Sequence, residues 1–186
     1  KCLPEDEAES RKCLRCIELG ANAGDEQLAQ LYQLGLKRLP DLCEIRLQGS
    51  LVTDNGLLIV APMVQLQGLS VGPATTDLGL RHLNGLTGLR ALDLSRTQIT
   101  GAGLRHPRQL PVLQILTLRN TRVRDEDLVH LTRFPTLVCL DLAGTQISDA
   151  GLVYLTQLPN LRSLRVEHTR ISDAGVEELK KMPNLH

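Results

Sequence analysis

The chain has 186 residues, with 21 basic and 21 acidic side chains, so its formal charge at pH 7 is zero. A balanced charge gives no electrostatic ground for a nucleic acid or an anionic membrane as partner, and no apolar run approaches the ~20 residues of a membrane span. Two Tyr, one Phe and no Trp leave only aliphatic side chains, chiefly Leu, to build a core.

Residues 1–13, KCLPEDEAESRKC, are polar and acidic and are expected to form an N-terminal cap or the end of a preceding unit. From Leu14 to the end the chain repeats itself. Leu14, Ile17, Leu19 and Asn22 spell L-x-x-L-x-L-x-x-N. A second unit, IRLQGSLVTDNGLLIVAPMVQLQG, begins at Ile45, and a third, LSVGPATTDLGLRHLNGLTGLR, at Leu69, which aligns once one residue is deleted after its strand. From Ala91 four rows of 24 follow without a gap, ending in CLDLAGTQISDAGLVYLTQLPNLR and SLRVEHTRISDAGVEELKKMPNLH. About seven units therefore fill residues 14–186. A chain of this kind is a single body that grows by stacking, because no unit can bury its apolar face alone.

Within one unit the residues assign their own roles. In CLDLAGTQ, Leu140 and Leu142 alternate with polar neighbours at the strand period, so Leu140 and Leu142 point inward and Cys139, Asp141 and Ala143 outward. Five residues after the second strand Leu comes an apolar column of Val52, Ile99, Val123, Ile147 and Ile171. Between them lies a hydroxyl column, Ser50, Thr97, Thr121, Thr145 and Thr169, with Asn22 in that place in the first unit. A buried turn has to pair its own N–H and C=O groups, and these side chains are expected to do so. Thr53-Asp54, Thr76-Asp77, Ser148-Asp149 and Ser172-Asp173 each set an N-cap hydroxyl before an acidic first turn. Leu152, Leu155 and Leu158 then line one face of a short helix, as do Leu128, Leu131 and Phe134, and Val176, Leu179 and Met182. Pro40, Pro111, Pro135, Pro159 and Pro183 end it.

The pattern L-x-x-L-x-L-x-x-T-x-I-S/T-D-A-G-L-x-x-L-x-x-L-P resembles the leucine-rich repeat family over roughly residues 14–186. Its short D-A-G-L helix is similar to repeats common in bacterial proteins, including those of planctomycetes, and in F-box substrate receptors; no F-box is visible here. The resemblance implies an α/β, right-handed solenoid or horseshoe, with a parallel sheet on its concave face and short helices on its convex face. It also implies a module that binds another protein through the concave face and its adjacent loops, the alternative being a structural spacer in a longer protein.

Three departures from the pattern stand out. Pro107 replaces the middle helix Leu, so Leu104–Leu110 is expected to be irregular or 3₁₀. The unit at Leu69 has lost a residue around Gly72-Pro73 and is expected to turn more tightly. Asp127 stands where Gly103, Gly151 and Gly175 do, which makes Arg124–Asp127 a charged, exposed corner. The chain stops at MPNLH without a polar cap, and the expectation is that the native protein continues or that a partner, including a second copy, covers this end.

The outward strand columns supply the candidate binding residues. Arginine is favoured at binding hot spots, which selects Arg46, Arg119 and Arg165, with Asp93, Thr117, Asp141, Glu167 and His168 around them. A second basic patch, Arg96, Arg122, Arg124, His168 and Arg170, lies on the loops after the strands and suits an acidic partner. Asp125, Glu126 and Asp127 balance it against a nucleic-acid groove, and no aromatic platform accompanies it.

Catalytic and metal chemistry find little support. His82, His106 and His130 recur at the repeat interval, but helices packed ~8–10 Å apart cannot bring three ligands to within ~2 Å of one ion. Cys139 near Asp141 has no His in the strand columns, so no nucleophile, base and orienting group converge. Neither an enzyme nor a cofactor is expected. Cys13-x-x-Cys16 has no second pair at zinc spacing, and five scattered cysteines argue against a disulfide framework. The compartment stays open, with the cytoplasm favoured.

Overall fold

The structure, a computed structural model, describes residues 15–39, 41–107 and 110–185. The expected cap at residues 1–13 lies outside them. Seven strands form a single parallel sheet in chain order: β1 Arg15–Glu18, β2 Leu42–Arg46, β3 Gly68–Ser70, β4 Ala91–Asp93, β5 Ile115–Thr117, β6 Cys139–Asp141 and β7 Ser163–Arg165. A parallel neighbour requires a crossover, and each crossover carries the short helix of its unit. Strands sit ~4.8 Å apart while helices need ~8–10 Å, so the sheet lines the inner side of an arc.

The two inward strand positions and the column after the turn make the core. Ile45 and Leu47, Leu69 and Val71, Leu92 and Leu94, Leu116 and Leu118, and Leu140 and Leu142 are all buried, together with Val52, Ile99, Val123 and Ile147. The convex segments are of two kinds. Asp54–Val60 and Asp173–Leu179 are α-helical, whereas Gly79–Gly85 and Asp125–Arg133 are 3₁₀. Side chains three apart eclipse along a 3₁₀ helix, which suits the strict spacing of Leu80, Leu83 and Leu86 and of Leu128, Leu131 and Phe134, all buried. Val176, expected in the core, is instead 40% exposed, because no neighbouring unit covers its outer side in this structure. The helix Gly101–Leu104 stops after four residues, and residues 105–107 run as turn and bend. Pro107 accounts for that, having neither an amide proton nor room for the preceding carbonyl.

The buried hydroxyl ladder is present. Ser50, Thr97 and Thr121 each donate 2.7 Å to the carbonyl three residues earlier, and Thr145 and Thr169 do the same at 2.6 Å. Asn22, placed in this column from sequence, is exposed. Thr53 and Ser148 cap their helices as expected; Thr76 accepts from the Leu78 N–H ahead of the segment at Gly79–Gly85 without capping it, and Ser172 makes no side-chain cap.

The carboxylates after these caps do more than favour a helix dipole, since each reaches across to the next unit. Asp25 accepts from the Thr53 N–H at 2.8 Å and its hydroxyl at 2.5 Å. Asp54 does so from Thr76, Asp77 from Thr100, Asp125 from Ser148 and Asp149 from Ser172. Glycine makes room for the carboxylate: a Cβ on Gly151 would lie 2.6 Å from Asp125 Oδ1. At one joint the arrangement is reversed. Gly101 stands where the Asp would be, and Asp127, standing where the Gly would be, fills that space from the other side and accepts from the Arg124 N–H at 2.9 Å. Arg124 and Glu126 of this corner are exposed, but Asp125 and Asp127 are half-buried in these links.

Candidate functional site

The outward residues of successive strands fall into rows, because a parallel sheet in fixed register places equivalent residues side by side. One row runs Glu18, Arg46, Ser70, Asp93, Thr117, Asp141 and Arg165. Four of the sequence-selected residues, Asp93, Thr117, Asp141 and Arg165, are thus neighbours on β4 to β7. Arg46 is separated from them by Ser70. Arg119 lies one outward position beyond Thr117, and Glu167 one beyond Arg165. His168 is exposed on the following turn, at φ 57°, and does not belong to the strand rows.

Asp141 departs from its expected role. Only 7% of it is exposed, because Arg119 and Arg165 flank it from the neighbouring strands. Their Nη1 atoms lie 4.0 and 3.8 Å from its Oδ2, while its Oδ1 accepts from the Ala143 N–H at 2.9 Å. It serves as the ion-pair partner of two guanidiniums rather than as a free carboxylate. The guanidinium side chains themselves stay open, 43% exposed for Arg119 and 33% for Arg165. Ala143, also read as outward, is buried, as is Ser70 of the same face.

Two further charges of the face, Arg46 and Asp93, are paired locally. Arg46 Nε donates to Glu44 Oε1 at 2.6 Å, and this bond, reinforced by the carboxylate charge, holds the Arg46 pKa above its ordinary value. Asp93 accepts from the Ser95 N–H at 2.8 Å and from the Gln48 amide. Gln48 therefore bridges from the second unit to the fourth, over the third.

Among the described residues no group of three or more His, Cys, Asp or Glu is placed to hold a metal ion. Arg105 Nε donates to His130 Nε2 at 3.2 Å, and Arg81 Nε to His106 Nε2 at 3.5 Å. Burial, then the charges of Arg105 and Arg133, lower the His130 pKa. Cys139 is half-buried and reduced, and Cys16 is exposed and reduced. Cys43 is disulfide-bonded, with its partner outside the described residues.

A leucine-rich repeat family model matches residues 86–105, 135–155 and 157–180. These segments are leucine-rich repeats and the chain has the leucine-rich repeat fold, a kind of domain that generally mediates protein–protein interaction. Among solved structures it is similar to internalin C2 from Listeria monocytogenes str. 4b F2365, at 28% identity and a TM-score of 0.66, over 90% of this chain and 77% of that one. No curated protein matches the chain. No helix among the described residues is long and apolar enough to cross a membrane.

Proposed function

We propose that this domain binds another protein through its concave sheet face, with Arg119 and Arg165 as anchors and Arg46, Asp93, Thr117, Glu167 and His168 around them. The observation that carries this reading is the Arg119–Asp141–Arg165 cluster. A buried carboxylate draws two open guanidiniums to either side of it on the sheet, which reduces the side-chain entropy lost on binding. Guanidinium groups offer planar, multiple donors to carboxylates and carbonyls.

The test is capture from lysate of the source cells by the wild type, by Arg119→Glu/Arg165→Glu, and by the convex control Val153→Glu, each with an unchanged circular-dichroism spectrum. The concave reading expects a protein retained by wild type and control and lost by the double variant. Equal retention by all three would favour a spacer whose concave face contacts nothing.

A further inference from the structure

We propose that a notch at the rim of the concave face, opened by the shortened third unit, receives a carboxylate side chain from an acidic segment of the protein partner. This rests on the concave-face reading and locates one contact within it.

The third unit breaks the rules its neighbours keep. In the other units from the second onward, the turn after the strand contains a residue with positive φ: Gly49, Arg96, Asn120, Gly144 and His168. No residue from Val71 to Thr76 has positive φ, so the deleted position is the left-handed turn residue. Without it, the third unit does not reach as far out as its neighbours. Gly72 is tucked against the preceding turn, where an added Cβ would lie 3.0 Å from the Val52 carbonyl oxygen and 3.1 Å from that of Ser50. The resulting notch, of about 480 Å³, is lined by Gln48, Gly49, Val71, Pro73, Ser95, Arg96 and Arg119.

The backbone ladder is also interrupted here. From the fourth unit on, turn amides donate across the joints: Arg96 to the Arg119 carbonyl, Asn120 to that of Ala143 and Gly144 to that of Glu167, each at 2.8 Å. The Gly49 N–H has no equivalent bond among the described residues, and Pro73 has no N–H to give. The lining therefore combines an unpaired amide donor with the guanidiniums of Arg96 and Arg119, and it contains no carboxylate. Arg96 is exposed and makes no ion pair among the described residues. Asp93, the nearest acid of the row, is turned onto Gln48 and the Ser95 amide. Val71 and Pro73 supply an apolar floor for the methylenes of an acidic side chain. Ser70 and Thr75 of the same unit carry buried hydroxyls without a partner, so this unit departs from the repeat without being repaid by internal bonding, as functional positions commonly do.

The experiment is a ¹⁵N-detected titration of the full chain with hexaglutamate at about 20 mM salt, where the screening length is about 20 Å; hexaserine and inorganic phosphate are the comparisons. The amides of Gly49, Ser95, Arg96 and Arg119 are expected to shift saturably with hexaglutamate and not with hexaserine. Arg96→Asn, which installs a residue at home in a left-handed turn, and Arg119→Gln should each weaken binding about tenfold. Lys180→Gln, exposed at the end of the last convex helix, should change it less than about twofold. Ser95→Tyr fills the notch while keeping both charges, and should abolish the shifts. Saturable shifts centred instead on Thr117, Ser163 and Arg165 would overturn the notch and leave the concave face standing. Shifts confined to Arg81 and Arg105 would sink both. No saturable response below about 5 mM peptide, or tighter binding of phosphate at the same amides, also rejects an acidic-segment site.

Discussion

Thr75 occupies the column that holds Val52, Ile99, Val123 and Ile147 in other units, and it is fully buried. Its hydroxyl finds no partner, so the molecule bears a desolvation penalty there that an isosteric methyl would remove. Thr75→Val is expected to raise stability by about 1 kcal/mol, read as a higher urea midpoint at unchanged slope; a lower midpoint would mean that the hydroxyl is satisfied. Gly151→Ala should act oppositely. The new Cβ would meet Asp125 Oδ1 at 2.6 Å and Leu128 Cδ1 at 2.8 Å, displacing the carboxylate from Ser148 at a cost of about 1–3 kcal/mol. An unchanged midpoint would show that the joint yields without cost. At this scale the sequence was readable wherever a side chain serves its own unit. The hydroxyl ladder could be assigned because donor and acceptor lie three residues apart. The Asp links could not, because Asp125 and Ser148 are 23 residues apart and the same Asp is equally at home as a simple first-turn acid. Burial of Asp141 was hidden for a similar reason: the side chains that cover it come from the units before and after.

Between elements, the joint at Gly101 and Asp127 shows the same link built from the other side. Five regular joints flank it, and each has an Asp in the first unit and a Gly in the second. The reversal predicts strong coupling. Gly101→Asp alone would force a carboxylate into the space of Asp127, with like-charge repulsion added to overlap, at a cost of about 2 kcal/mol or more. Asp127→Gly alone empties the joint and strips the Arg124 amide of its acceptor. The double variant restores the regular order and should be more stable than the sum of the single effects by at least about 1 kcal/mol; adding Arg124→Ser supplies the missing hydroxyl and should recover more. Additive effects would show that the two positions do not share one space. The pattern of swapped Gly and Asp was present in the aligned units, but only the geometry of the joint gives it a cause. The choice between α and 3₁₀ on the convex side was less legible, since spacing of three satisfies a short stretch of either.

At the scale of the whole molecule, stability is a sum of units and joints, and the seventh unit is joined, among the described residues, to the sixth alone. Its strand and turn residues Leu164, Val166 and Ile171 are only partly buried. Its helix, Asp173–Leu179, is tied back by Asp149, which accepts from the Ser172 hydroxyl at 2.5 Å and from its amide at 2.9 Å. These bonds, the side-chain one first, hold the Asp149 carboxyl below its ordinary value of 3.8. A carboxyl depressed in the folded state stabilises the joint at pH above its unfolded value, and that contribution disappears as the pH falls through the folded value. Acid should therefore release the last unit before the centre of the solenoid. In hydrogen exchange corrected for intrinsic rates, amides of residues 171–180 should lose protection as the pH falls from about 5 to about 3, while those of β4 and β5 hold theirs. Asp149→Asn keeps the shape of the side chain but cannot accept two bonds as a charge, so at neutral pH its last unit should already exchange faster than the wild type. Below the folded pKa the two proteins should converge, because the wild type has then lost the same charge. If the variant and the wild type differ by the same factor at every pH, the joint depends on the shape of the side chain and not on its ionisation.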